Sequence, residues 1–395
     1  MTEEEAKALP IVIAALIAAS LASFVLTPVA IRFARAVGAI DVPDNDRRVH
    51  REPVARAGGW AVAVAFTGVC LLAVWITSSS GLIAPGHVKD VTVAALLGGT
   101  LVAASLGFID DRFQIKARWQ FGGQILLALI PVAAGIGIAV VYNPLRGGTE
   151  SNFQLNFPFP ALLAVVWIVG MINSVNFIDG LDGLSSGIAL IAAATLGVIS
   201  FTQGEPTVAL LCGVLAGALA GFLPWNFHPA RVFTGTTGVT AVGYALAVLS
   251  ILGTAKYAVA LLVLGVPIID TFWIIIRRVS HKKSPFTPDR GHLHHRLLDL
   301  GLTHRQAVLL IYAICAVLAI LSLYLSTRDQ LYTFVGIMVG GGLLLFLLTR
   351  RGRRAEALSA ETYPEESTSP TGADDDRVSK AYAEGREAAG GPSSR

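Results

Sequence analysis

Residues 10–33, PIVIAALIAASLASFVLTPVAIRF, decide the fold. The run is long and apolar enough to cross a ~30 Å hydrocarbon core as a helix. Glu3, Glu4 and Glu5 precede it, and Pro10–Ile31 is too long for the apolar core of a signal peptide. The expectation is an uncleaved first span. Similar runs recur at 58–78, 91–109, 119–142, 160–173, 187–201, 207–224, 238–254, 257–276, 306–326 and 331–349. The expected fold class is all-α: a polytopic integral membrane protein of about 11 transmembrane helices. An odd count puts the termini on opposite sides.

Composition agrees. Hydrophobic residues make up 54% of the chain and charged residues 14%, against roughly 25% charged in a soluble domain. Of the 57 charged side chains, 17 fall in residues 350–395. This divides the chain into a transmembrane domain, 1–349, and a tail, 350–395, whose Glu, Ser, Ala, Gly and Asp carry no apolar period. Such a tail is expected to be disordered. The net charge of +3 is too small to suggest nucleic acid as a partner.

Basic residues set the orientation. The loops 35–57, 110–118, 174–186, 225–237 and 277–305, with Arg32 and the tail, hold 25 of the 30 Lys/Arg. The opposite loops hold Lys7, Lys89, Arg146, Lys256 and Arg328. Positive charge stays inside, so the N-terminus is expected outside and the C-terminus in the cytoplasm. Seven of the eight histidines fall on the same cytoplasmic side. Chemistry is expected there, at the membrane surface. Cys70, Cys212 and Cys315 sit singly in apolar runs and read as packing residues.

The polar segments of that side come in order along the chain. DVPDNDRRVHREPVARAGGW carries Arg47, Arg48, His50, Arg51 and Arg56 before Gly58 and Gly59. It suits phosphate handling, or simply positive-inside charge. SLGFIDDRFQ puts Asp110 and Asp111 at an inward helix C-terminus, where acids oppose the macrodipole. The pair makes sense with a cation beside it or with one carboxyl protonated; a solvated loop paired with Arg112 or Lys116 is the alternative. NSVNFIDGLDGLSSG spaces Asn173, Asn176, Asp179 and Asp182 by three, on one face of a helical turn. Asn and Asp there suit hydroxyl or base contacts and a hard cation such as Mg²⁺. A Gly-rich re-entrant turn with capping acids is the alternative reading.

FLPWNFHPARVFTGTTG offers Asn226, His228 and Arg231 before Gly235 and Gly238, or an ordinary connecting loop. RRVSHKKSPFTPDRGHLHHRLLDLG groups His292, His294, His295 and Arg296 in a loop, 277–305, with seven Lys/Arg. That cluster suits a diphosphate; zinc and anionic lipid headgroups are the rival ligands. Asp270 lies inside an apolar run. It reads either as a functional intramembrane acid or as a tie to a neighbouring element. An ion-coupled transporter is disfavoured, because the ionisable residues gather at one face and no repeat is visible.

Six motifs in order, from about residue 41 to 305, resemble the polyprenyl-phosphate N-acetylhexosamine-1-phosphate transferases: RRVH with GG, GFIDDR, NFIDGLDGL, NFHPARVF, PIIDT and HLHH. The HLHH form and the span layout are similar to the undecaprenyl-phosphate GlcNAc-1-phosphate branch. The phospho-MurNAc-pentapeptide transferases are the runner-up. The resemblance implies transfer of a sugar-1-phosphate from a UDP-sugar to polyprenyl phosphate in the bilayer, with Mg²⁺ or Mn²⁺. It implies catalytic roles for Asp110, Asp111, Asp179 and His294. It places Arg48, His50, Asn173, Asn176, Asp182, Asn226, Phe233, His292, His295 and Arg296 on the substrates, and the metal on Asp179 and Asp110. Thr236 stands where the family's Met-Gly-Asp-x-Gly motif has its metal-binding Asp, and Gln120 stands where many members carry Lys. Thr236 leaves a catalytically impaired relative with a binding or scaffold role as an alternative. The oligomeric state, a homodimer included, is left open.

Overall fold

A computed structural model describes residues 3–41, 53–80, 88–142, 152–253, 256–280 and 292–343. The chain divides into the unit Met1–Gly342, to which everything below belongs, and the unit Leu343–Arg395. The expected disordered tail, 350–395, lies outside the described residues, as do Arg48 and His50.

The protein is all-α apart from two short hairpins. The helices are α1 (Glu3–Val37), α2 (Gly59–Ser80), α3 (Asp90–Phe113), α4 (Ala117–Ala133), α5 (Phe159–Ile178), α6 (Leu184–Thr202), α7 (Pro206–Asn226), α8 (Gly235–Leu252), α9 (Lys256–Val263), α10 (Gly265–Ser280), α11 (Leu293–Asp299) and α12 (His304–Tyr324). Residues 327–343 are helical again. Strands β1 (Ile40–Asp41) and β2 (Val54–Ala55) pair antiparallel, as do β3 (Val140–Tyr142) and β4 (Asn152–Gln154).

Among the described residues eight helices are long and apolar enough to span a membrane: α1, α2, α3, α5, α6, α7, α8 and α12. The protein is polytopic. Two expected spans differ. The run 119–142 stops being helix at Ala133, with Gly135 at φ 84° just beyond, and its last residues form β3. The run 257–276 is broken between α9 and α10. Pro267 cannot donate to the carbonyl of Val263, four residues back, where α9 ends.

Packing is tightest between α1 and α7. Gly213, Gly217 and Gly221 recur every fourth residue on one face of α7. A Cβ at Gly217 would overlap the Leu16 carbonyl, and one at Gly221 the Ser20 carbonyl. Small residues at this spacing let membrane helices approach backbone to backbone. The core beneath the site is formed by α3, α5, α6, α7 and α8. It holds Leu96, Ile168, Leu184, Leu211, Phe222 and Tyr244, all but excluded from solvent. Cys70, Cys212 and Cys315 are buried and unpaired, as expected of packing residues.

Candidate active site

Asp111, at the C-terminal end of α3, caps the N-terminus of α8. Its carboxylate accepts from the backbone N–H of Thr236 at 2.9 Å and of Thr237 at 2.8 Å, and from the Thr237 hydroxyl at 2.6 Å. A carboxylate that opposes the dipole of its own helix is thereby placed at the favourable end of another. Glycine permits the approach: a Cβ at Gly107 of α3 would overlap the Thr236 carbonyl. Asp110 accepts from the Thr236 hydroxyl at 2.8 Å and from the Ile115 N–H at 3.1 Å. The acid pair is therefore no solvated loop. Asp111 is buried, and its hydrogen bonds come from neutral donors.

The loop after α7 is pinned onto β2. Phe233 N–H donates to the Ala55 carbonyl and Gly58 N–H to the Phe233 carbonyl. Asn226 fixes the same loop from below. Its Oδ1 accepts from Ser186 at 2.6 Å and Thr234 at 3.3 Å, and its Nδ2 donates to the Val232 carbonyl at 3.0 Å. Asn226 is buried and shapes the cleft wall through these bonds.

Between these walls lies a cleft of about 910 Å³. Asn176, Asp179 and Asp182 line it, but not as one helical face: α5 ends at Ile178, Asp179 caps it, and Asp182 sits in the turn beyond. Asn173 points elsewhere, donating to Gln124 of α4 at 2.7 Å. Asp179 accepts a hydrogen bond from Ser185. Burial raises its carboxyl to about 7 against that bond, and the charges of Asp111 and Asp182 push the same way.

Asp182 gathers two histidines. Its Oδ2 meets His228 Nδ1 at 2.7 Å and accepts from the Ala230 N–H at 3.1 Å, while its backbone N–H donates to His304 Nε2 at 2.8 Å. The two imidazoles stack at 4.1 Å. Ligand atoms of Asp182, His228 and His304 lie within 4.8 Å of one another, a set that fits a divalent cation. Of the acids picked out in the sequence, Asp182 joins this cluster and Asp110 and Asp179 do not. His228 and His304 come from segments far apart in the chain. The signal available was the placement of each: His228 directly after α7 and His304 opening α12.

The remaining histidines form the other side. Asp270 of α10 is a tie, as one sequence reading had it: it bonds His292 Nδ1 at 2.8 Å and accepts from the Leu293 N–H at 2.8 Å, fixing the start of α11. His294 stacks behind His292 and is pressed onto Gly180, where a Cβ would overlap its ring. Burial, with the neighbouring imidazoles, lowers His294 to about 3, so it is neutral at physiological pH. His295 lines the main cleft and also a side chamber of about 360 Å³ that Asn173, His292 and His294 share. Arg296 is half-buried on α11. Arg35, Arg56 and Arg231 also line the cleft, Arg56 at 3.4 Å from Asp41.

Residues 93–254 match the Glycosyl transferase family 4. The chain is 35% identical over 323 residues to the probable undecaprenyl-phosphate N-acetylglucosaminyl 1-phosphate transferase of Bacillus subtilis, covering 80% of this chain and 85% of that one. It is 35% identical over 366 residues to the decaprenyl-phosphate N-acetylglucosaminephosphotransferase of Mycobacterium tuberculosis, covering 85% and 89%. A phospho-N-acetylmuramoyl-pentapeptide-transferase of Moorella thermoacetica is 31% identical over 325 residues, 79% and 98%. The chain belongs to the polyprenyl-phosphate N-acetylhexosamine-1-phosphate transferase family.

Proposed function

We propose that the protein transfers N-acetylglucosamine-1-phosphate from UDP-GlcNAc to a polyprenyl phosphate, releasing UMP and starting a lipid-linked envelope polysaccharide. An oxygen of the lipid phosphate bonds to the β-phosphorus of the UDP-sugar as the bond to the UMP oxygen breaks. The nucleophile is already anionic, so the protein's task is positioning and charge neutralisation. The observation that carries the reading is the Asp182–His228–His304 cluster in a cleft with Asp111, Asp179 and three arginines. A divalent cation there would neutralise phosphate charge. Two imidazoles and one carboxylate suit Mn²⁺ at least as well as Mg²⁺, which favours oxygen donors. The GlcNAc preference rests on the printed activities of the relatives in Bacillus and Mycobacterium.

In this reading Asp111 holds the start of α8 against the cleft, and Asp110 orients Thr236. Asn176, Asp179 and Phe233 face the nucleotide, and His292 and His294 buttress His295 and Arg296 towards the diphosphate. Arg48 and His50 add phosphate contacts. The span count of eleven, with α4, the α9–α10 pair and 327–343 added to the eight long helices, and the N-out, C-in orientation are supported by the uneven distribution of basic residues. That orientation puts the cleft on the cytoplasmic face, where UDP-sugars are.

The test is purified protein with UDP-GlcNAc, undecaprenyl phosphate and Mn²⁺ or Mg²⁺, assayed for UMP. Release is expected, and absence of UMP with every UDP-N-acetylhexosamine overturns the reading.

A further inference from the structure

The Asp182–His228–His304 cluster draws its donors from three separate segments: the turn between α5 and α6, the loop after α7 and the start of α12. The start of α12 is fixed by a capping box. The Gln306 side chain accepts from the Thr303 N–H at 2.9 Å, and the Thr303 hydroxyl accepts from the Gln306 N–H at 3.4 Å. From there three side chains of α12 reach the other two segments. His304 Nε2 accepts from the Asp182 N–H at 2.8 Å. Arg305 Nε donates to the His228 carbonyl at 3.1 Å. About two turns on, the Tyr312 hydroxyl donates to the carbonyl of Gly183, the residue after Asp182.

Tyr312 sits in a notch of two glycines at the start of α6. A Cβ at Gly187 would overlap its hydroxyl, and Gly183 turns the chain at φ 81°. On the same helix Ala307, Val308, Ile311 and Cys315 are buried. The notch and this packing fix the depth and register of α12 against the Asp182 turn. Of the three side chains, His304 lines the cleft, and Arg305 and Tyr312 do not.

We propose that Tyr312 and Arg305 are positioning residues of the Asp182–His228–His304 centre, and that α12 is the clasp that sets the spacing of its donors. This rests on the reading of that cluster as a divalent-cation site and adds what holds it together. Donors on three segments present one geometry to an ion only when something fixes the segments to each other, and α12 touches both of the others.

The experiment uses the full chain in lipid nanodiscs, cleared of metal with chelator. Mn²⁺ binding is read by calorimetry and by loss of the free-ion EPR signal. Tyr312→Phe removes only the hydroxyl, and Mn²⁺ affinity is expected to fall about 10–100-fold, as when an outer partner of a metal ligand is lost. Arg305→Ala removes a more exposed contact and should cost roughly fivefold. Gly187→Ala should displace the ring and act like Tyr312→Phe, and the two together should lose less than the sum of the singles. If Gly187→Ala does not fold, the milder Tyr312→Phe and Arg305→Ala carry the test. His304→Gln is the reference for the centre itself. A lowered melting temperature in Tyr312→Phe with unchanged Mn²⁺ affinity is what a merely structural role gives, and it overturns the clasp. Weaker binding in His304→Gln alone overturns the clasp and leaves the cation site standing. Mn²⁺ binding unmoved by His304→Gln overturns the cation site, and the clasp with it.

Discussion

Asp111 and Asp182 are both carboxylates in the same cleft, yet their surroundings differ in kind. Asp111 is closed off by three neutral donors from α8, all within 2.9 Å. Asp182 faces two imidazoles whose nitrogens crowd towards it and towards each other. The first arrangement answers a carboxylate with the N–H groups and hydroxyl of a helix end. The second gathers ligand atoms that a divalent cation would hold together. One acid thus builds the cleft wall and the other furnishes it, a difference that the flanking residues, Asp110 and Arg112 for one and Leu181 and Gly183 for the other, do not announce.

The largest effect should come from breaking the closed arrangement. Asp111→Asn would turn an amide NH₂ towards groups that are themselves donors. With each stranded donor worth ~1–3 kcal/mol, a loss of roughly 2–4 kcal/mol of stability is expected, together with near-complete loss of UMP release. Thermal unfolding in detergent and the UMP assay check both; an unchanged melting temperature would show that α8 does not depend on this cap. His304→Gln tests the open arrangement. Loss of even an outer partner of a metal ligand costs about 10–100-fold in affinity, so Mn²⁺ binding by calorimetry should weaken by at least that much while the melting temperature of metal-free protein holds.

Thr236→Asp makes the closed region resemble the open one. Its carboxylate would stand where a hydroxyl now donates to Asp110 at 2.8 Å, a repulsion of about 1 kcal/mol or more. The metal-free variant should melt lower than wild type, and Mg²⁺ should raise its melting point more. An identical Mg²⁺ response in the two proteins would mean that no ion comes near Asp110. The last effect is confined to acid pH and concerns His294. Burial holds its pKa at about 3, well below the ordinary imidazole value, so the unfolded chain takes up a proton that the folded chain refuses. Stability from this group is complete above 6.5 and is lost as pH falls towards 3. In chelator-treated protein, His294→Asn should flatten that part of the pH–stability curve; a parallel curve would show that His294 is accessible to protons after all.

The membrane helices were legible because apolar length is a local property, and α2, α3, α6 and α7 fall within a few residues of their expected bounds. The break before Pro267 and the stop at Ala133 were less so, since both runs stay apolar through the interruption. The acids were legible as a group and illegible in their roles. Nothing local to Asp110–Asp111 says that α8 will bring Thr236 and Thr237 to it from 126 positions away. His304 was read only as one more cytoplasmic histidine, because its partner Asp182 lies 122 residues earlier. The three bonds of Asn226 to Ser186, Val232 and Thr234 exist only once the loop is folded, so its part in shaping the loop was not legible.

The glycine face that joins α7 to α1 has a consequence for biosynthesis. About 170 residues separate the end of α1 at Val37 from the start of α7 at Pro206. At roughly 5–20 residues per second, the first helix waits on the order of ten to thirty seconds at the insertion machinery before its partner is made. Through that interval its apolar length and its packing on α2 must keep it in the bilayer. A bulky residue at Gly217 or Gly221 would then act late, as a nascent chain whose first helix never finds its dock and is left to quality-control proteolysis.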